Sequence, residues 1–420
     1  MSTIDRIRVG ARTAARRPSR RWYHLDQWPP EVLALLGAWV CTRLLYAAPI
    51  IANMSGQQYD IGALYPTWAA ELAQGHFPWH DDTWQYPPVA GLVFLAPRAL
   101  PFLSYQTAFG LFMLLCDAVI LAMLLVTGRG EGRSRLGVWV WVLGLPILWG
   151  LPYVRFDLAV TALAVGSVLL MRRSPKGSGV LAGLGALVKA WPLMMLVGAP
   201  RGRATRRSWF TAVLSCVAPL AVMGMFFTHE FGFLGEQGAR GIEIESLPGS
   251  ALLVAHLFGY NSVIQYTYGS FQISGAYSGQ LATATLALSA VGFLWLLWWR
   301  LRARVWTPAT TADAAFTSML VFVTTSRVIS PQYFIWLLGL AAACLVFRTT
   351  GQRVAALAIL PLTVLTTLDY PVSWGQILNG EPAAVMVVVA RNLGLLWVTI
   401  HSARSLWRST RPEQLLSAQG

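Results

Sequence analysis

Long apolar runs separated by short basic loops set the pattern of this chain. A helix needs about 20 apolar residues to cross a bilayer, with a range of roughly 17–25. Candidate runs cover Glu31–Ile51, Ser104–Val126, Leu136–Leu151, Phe156–Met171, Trp209–Phe227, Gln280–Trp299, Ala312–Thr325, Tyr333–Phe347, Ala355–Leu368 and Pro382–Ile400. The loops "GRGEGRSR", "RRSPKGSG", "RGRATRR", "RLRARV" and "RTTGQR" and the tail "ARSLWRSTR" are rich in arginine. Arginine holds short loops on the cytoplasmic side, and alternating the runs from an inside N-terminus puts nearly all of these loops there. One segment, "GVLAGLGALVKAWPLMMLVGAP", has a basic loop at each end, so a single crossing would send one of them outside. A hairpin of two short helices turning near Lys189-Ala190-Trp191-Pro192 resolves the conflict, and proline disfavours one straight helix there. The pattern predicts an all-α polytopic membrane protein of about 10–12 transmembrane helical segments with both termini cytoplasmic.

Four segments then fall on the outside: Ala52–Leu103, Thr228–Gly279, Ser326–Gln332 and Asp369–Glu381. The first two, 52–103 and 228–279, are long and carry aromatics, glycines and many of the acidic side chains. Function concentrates on loops of this kind when a rigid scaffold holds them. In the first, Ile61, Leu64, Trp68 and Leu72 recur at helical spacing and predict a helix lying along the membrane interface. The run "VAGLVFLAPRALP", with Arg98, is short for a full span and predicts a partly embedded helix. No internal repeat is visible, which argues against an inverted-repeat transporter. The organisation expected is a basic arm at 1–30, a membrane domain at 31–400 and a cytoplasmic tail at 401–420.

Composition sharpens this picture. Hydrophobic residues make up 55% of the 420 residues and charged residues 12%, with mean hydropathy +0.53. A soluble domain carries about 25% charged residues. The balance of 32 basic and 18 acidic residues, net +14, would suggest nucleic acid for a soluble chain. Here the excess lies in short loops and reads as topology, so no nucleic-acid partner is expected. Cys41, Cys116, Cys216 and Cys344 each lie in an apolar run without CxxC spacing and read as small buried hydrophobes. The N-terminal "MSTIDRIRVGARTAARRPSRRW" has basic residues but no apolar core, and reads as a cytoplasmic arm and not a cleaved signal.

Few ionisable residues remain as candidates for chemistry. Asp60 follows Gln57-Gln58-Tyr59 and opens the helical stretch "IGALYPTWAAELAQG", where it could cap a helix, hold a reactive carboxylate in a fixed place, or both. Tyr86-Pro87-Pro88 fixes an extended turn. Lys189 sits in the membrane hairpin, either snorkelling to the interface or pointing into a cavity towards an anion such as phosphate. Arg327, in "TTSRVISPQYFIW", lies at the outer mouth of a helix pair as an anchor or a cavity cation. The stretch "FLGEQGARGIEIES" holds Glu236, Arg240, Glu243 and Glu245. "LPYVRFD" suggests a local ion pair between Arg155 and Asp157, and Arg43 and Asp117 suggest a buried pair between two spans. His80-Asp81-Asp82 is too small a cluster to predict a metal site.

Taken in order, these motifs resemble the GT-C glycosyltransferases: an aspartate beyond the first span, an interfacial helix, "YPP", Lys189-Ala190-Trp191-Pro192 and "SPQYF". The similarity runs from Glu31 to Ile400 and is nearest to the actinobacterial polyprenyl-phosphate-mannose-dependent α-mannosyltransferases, phosphatidylinositol-mannoside type; "RGIEIES" and "RFD" also look like motifs of that group. The resemblance implies a GT-C-like catalytic membrane domain working on the outer face of the cell membrane. It implies a polyprenyl-phosphate-sugar donor, a lipid-linked or glycan acceptor, and no cofactor. It places Asp60 as the catalytic base and Lys189 and Arg327 near the donor phosphate. Tyr59, Tyr86, Arg240, Glu245, Asp157 and Gln332 become expected cavity residues. A carboxylate can take the proton of an acceptor hydroxyl as it attacks the anomeric carbon, and a single displacement inverts that carbon without a second carboxylate nucleophile. Fixed cations can stabilise the phosphate that leaves, so a divalent metal is not required. Two other readings are an arabinofuranosyltransferase of the same fold and a flippase for lipid-linked sugars. The second expects charged residues along several spans, whereas Arg43, Asp117 and Arg391 are the chief ones here.

Overall fold

The computed structural model describes residues 29–52, 59–78, 81, 83–227 and 240–411. The basic arm, His80, Asp82 and Glu236 lie outside these residues. The first apolar run is broken into α1 (Pro30–Tyr46) and α2 (Ala48–Ile51), with Pro49 in the first turn of the second piece. A π-helical turn, Asp60–Leu64, leads into α3 (Tyr65–Ala73), and α4 (Ala90–Leu95) packs against it. The next helix, α5 (Tyr105–Thr127), starts where Ser104 Oγ accepts from the amide of Thr107. Then come α6 (Leu136–Gly144), α7 (Leu151–Val154) and α8 (Asp157–Leu170).

The segment with two basic flanks forms a hairpin. Its arms are α9 (Pro175–Ala186) and a 3₁₀ helix, Trp191–Gly198, with the turn at 187–190. A Cβ on Gly185 would stand 2.9 Å from Cβ of Pro192, so glycine is what lets the arms touch. Beyond it runs α10 (Arg203–Phe226).

Among the described residues five helical stretches are long and apolar enough to cross a membrane: Tyr105–Thr127, Arg203–Phe226, Ser278–Arg302, Arg353–Val372 and Pro382–Ser409. The protein is thus an all-α polytopic membrane protein. Other expected spans are shorter. At about 1.5 Å per residue, 14 residues cover about 21 Å of a hydrocarbon core about 30 Å thick. Such short helices are tolerated because protein surrounds them. After α11 (Leu247–Leu257) and α12 (Ser278–Arg302), both α13 (Thr310–Thr325) and α14 (Tyr333–Leu345) are buried almost all round. By contrast α10 and α12 leave Phe210, Val213, Leu286 and Leu294 exposed, as helices facing lipid should. The chain closes with α15 (Arg353–Thr367), α16 (Trp374–Leu378) and α17 (Pro382–Ser409). The last helix runs past Ile400 through the basic residues Arg404 and Arg408, so the expected tail begins as helix.

Three expectations need correction. The apolar stripe running from the π-helical turn into α3 is turned to protein: Ile61, Trp68 and Leu72 are buried, with Trp68 packed on Trp84 and Phe94. Cys41 is exposed beside the exposed Leu44 and Leu45, whereas Cys116 and Cys344 are buried. Finally, the second outer loop contains a small sheet, β1 (Ile242–Glu243), β2 (Ser262–Thr267) and β3 (Ser270–Gly275), in the order β1-β3-β2, all antiparallel. The β2–β3 hairpin turns on Tyr268 and Gly269, at φ 51° and 72°. Two successive positive φ values make the two-residue turn whose twist matches that of paired strands.

Candidate active site

The described parts of segments 52–103 and 228–279, the hairpin 175–198 and the segment 326–332 converge on one cavity of about 1160 Å³. Tyr59, Asp60, Tyr86, Lys189, Arg240, Glu245, Arg327 and Gln332 all line it. Asp157 does not; it stands behind Lys189.

Asp60 lies in the first turn of the π-helical stretch that leads into α3, with Tyr59 at the N-cap position. Asp60 Oδ2 takes Arg155 Nη1 at 2.6 Å, and both side chains keep partial exposure to the cavity. The local pair expected between Arg155 and Asp157 therefore does not form. Arg155 follows α7 in extended backbone, φ −119° and ψ 144°, which carries it across to the first outer loop. Asp157 opens α8 and turns inward, where its Oδ1 accepts from Lys189 Nζ at 2.6 Å and Trp336 Nε1 at 2.7 Å.

Lys189 reaches the cavity, but its charge is already matched by that carboxylate. Aromatic faces cage it, with Nζ 4.5 Å from the ring centroid of Phe156, 4.9 Å from Trp336 and 5.6 Å from Tyr86. A buried cation in such a cage is held both by the pair and by the ring quadrupoles. Lys189 lines the cavity where a donor phosphate was expected, and it does so already paired with Asp157.

Arg240 differs. Arg240 Nη2 donates to Ser270 Oγ on β3 at 2.9 Å, while its Nε is buried without a partner. Among the described residues it has no carboxylate within ion-pair distance. Arg327 is near enough to feel it: burial first, and then the Arg240 guanidinium, hold Arg327 below the ordinary arginine range. Two neighbouring guanidinium groups on a cavity wall suit an anion with several oxygens, such as phosphate. Glu243, whose amide donates to the Arg327 carbonyl at 3.0 Å, sits beside them. Ser330 Oγ donates to its Oε1 at 3.0 Å, and Oε2 is buried without a partner. Burial pushes this carboxyl up to about 7, against the opposing pull of Arg240.

Glu245 is tied from behind. Its Oε1 accepts from Arg391 Nη1 at 3.2 Å, the same nitrogen lies 2.5 Å from Asp369 Oδ2, and Asn392 Nδ2 donates to its carbonyl at 2.9 Å. Burial and then the Asp369 carboxylate push Glu245 well above the usual range. It lines the cavity as a fixed part of the scaffold. Asp81 is likewise occupied, accepting from Trp68 Nε1 at 2.7 Å and from Thr83. Among the described residues no three His, Cys, Asp or Glu side chains group as metal ligands would.

Sequence reading missed the cavity roles of Arg155 and Glu243 and the wall made by Tyr266, Tyr268 and Phe271. The alternation in "SVIQYTYGSFQISG" about Tyr268-Gly269 was the available signal for that wall. The hairpin tip is pinned from the first loop, where Gln85 Nε2 donates to the Tyr268 carbonyl at 2.7 Å.

A carboxylate able to accept a proton and two guanidiniums able to hold an anion line one cavity. That arrangement fits group transfer from a phosphorylated donor. No curated protein and no solved structure matches the chain. The model of glycosyltransferase family 87 matches residues 84–331, more than half of the chain, a stretch that holds Tyr86, Arg155, Lys189, Arg240, Glu245 and Arg327 and begins after Asp60. The chain is therefore a membrane glycosyltransferase of GT-C type and belongs to glycosyltransferase family 87.

Proposed function

We propose that the protein is an inverting enzyme that moves a hexose from a polyprenyl monophosphate to an acceptor hydroxyl, lipid- or glycan-linked, on the outer face of the cell membrane. Mannose is the sugar that the resemblance implies. The reading is carried by one observation: Asp60, Arg240 and Arg327 line the same cavity. In it Asp60 takes the acceptor proton as the oxygen attacks the anomeric carbon. The C–O bond to phosphate breaks, and the polyprenyl phosphate leaves with the electron pair. Arg327 and Arg240 hold the phosphate as its charge grows. Lys189, compensated by Asp157, shapes the adjoining wall with its aromatic cage. The donor and mannose specificity rest on the resemblance, and sidedness rests on the arginine loops.

The test is transfer in membranes from purified polyprenyl-phosphate-mannose to a mannosylated lipid acceptor. Transfer by wild type and its loss in Asp60→Asn support the reading. Transfer from polyprenyl-phosphate-arabinose alone would reassign the donor, and normal turnover by Asp60→Asn would remove the base. For sidedness, a cysteine introduced at Ala204 should stay unlabelled by an impermeant reagent added outside; labelling there would overturn the inside assignment of "RGRATRR".

A further inference from the structure

Resting on that reading, we infer that Arg155 is a positioning residue for the reaction, acting through Asp60 and not on the donor. The geometry comes first. Asp60 stands in the first turn of a π-helical stretch on the loop side of α3. A carboxylate there would be free to rotate among rotamers unless something held it. Arg155 Nη1 holds Oδ2 at 2.6 Å. A base needs one oxygen for the proton it removes, so an arginine on Oδ2 can orient the group while Oδ1 does the chemistry.

Arg155 is itself set from behind. It leaves α7 as a single extended residue, and the next two side chains, Phe156 and Asp157, are locked into the bundle, buried at 1% exposure each. The anchor of the arginine therefore lies in the transmembrane core, whereas Asp60 lies on an outer loop. The pair ties the loop to the core at the reacting group. Tyr65, Tyr86 and Tyr370 are close enough to feel the same guanidinium, so aromatic residues from three segments surround it. A pair needed only for folding would have no reason to keep both partners open to the cavity. This one does, with side chains 27% and 19% exposed.

The rival role for Arg155 is direct contact with the donor phosphate, and its Nε, buried and without a partner, makes that a real alternative. A double-mutant cycle on turnover separates the two. In the wild-type background Arg155→Gln should lower kcat about 10–100-fold, within the range that a misplaced base costs. Donor affinity and acceptor KM should change less than about twofold, because binding groups are untouched. In the Asp60→Asn background the same substitution should change the residual turnover less than about twofold, since nothing is left to position. Arg155→Lys, which keeps the charge but not the planar fork, should recover part of kcat.

Equal losses in both backgrounds, or a loss seen in donor affinity, would overturn the inference and make Arg155 a donor ligand. An unchanged kcat would overturn it outright. If Arg155→Gln does not fold, Arg155→Lys decides: lowered kcat with unchanged donor affinity supports the inference, and wild-type kcat overturns it. Failure of the underlying reading shows separately, as normal turnover in the Asp60→Asn single variant.

Discussion

Arg43–Asp117 and Arg155–Asp60 both cross between segments of this protein, and they are built in opposite ways. Asp117, on α5, is fully buried and takes Arg43 through Nε at 2.8 Å and Nη2 at 3.2 Å. Trp39, Trp141 and Tyr153 also donate to it, at 3.2, 2.8 and 3.0 Å. Among the described residues Asp60 takes Arg155 through one nitrogen, and it remains open to a cavity. The first carboxylate is saturated with donors and has no capacity left for a substrate. The second keeps an approach for one. Residue type does not separate a structural pair from a working one. The number of donors already spent on the carboxylate, and what space it faces, do.

The sharpest way to break this comparison is to remove each carboxylate's charge in turn. Asp60→Asn should lower kcat by about 10²–10⁴-fold, with thermal unfolding in detergent close to wild type. Asp117→Ala should do the reverse. It strands a buried guanidinium and three donors, which costs about 3–5 kcal/mol. Melting should fall sharply, while kcat per folded molecule stays near wild type. Loss of fold in Asp60→Asn, or a specific loss of kcat in Asp117→Ala, would erase the distinction.

Lys189–Asp157 lies between the two extremes, buried but beside the cavity. Lys189→Met should destabilise the protein by leaving Asp157 unpaired. Adding Asp157→Asn should return about 0.5–3 kcal/mol of that loss in a double-mutant cycle on thermal melting. If the double variant melted as low as the sum of the singles, the pair would be no structural unit.

The smallest effect expected is one of pH. Glu243 has its carboxyl raised from 4.5 to about 7 by burial. Its folded state holds a proton that the unfolded state gives up near 4.5, so between those values the folded state binds more protons. The contribution to stability is full below about pH 4.5 and is lost as pH rises through about 7. Melting curves of wild type and Glu243→Gln should diverge across that window, with the variant showing the flatter dependence. Parallel curves would mean that Glu243 does not titrate there.

Much of this was legible before any coordinates. Hydrophobic period and arginine placement located the long helices and the hairpin with basic flanks, because transfer from water to hydrocarbon and loop charge act on each segment locally. Asp60, Lys189 and Arg327 stood out because an ionisable group is costly near lipid. Partners were another matter. Arg155 and Asp157 are two residues apart and read as a pair, yet each bonds to a residue from a distant segment. An extended residue followed by a helix start sends the two side chains in different directions. The same limit hid the exposure of Cys41 and the burial of the α3 stripe, since an apolar face can meet lipid or protein with equal satisfaction. What the sequence alone determined was which segments leave water. Which carboxylate has its donors filled, and which still faces open space, was decided only when segments far apart in the chain packed together, because hydrogen bonds and ion pairs depend on distances of a few ångströms that no local pattern encodes.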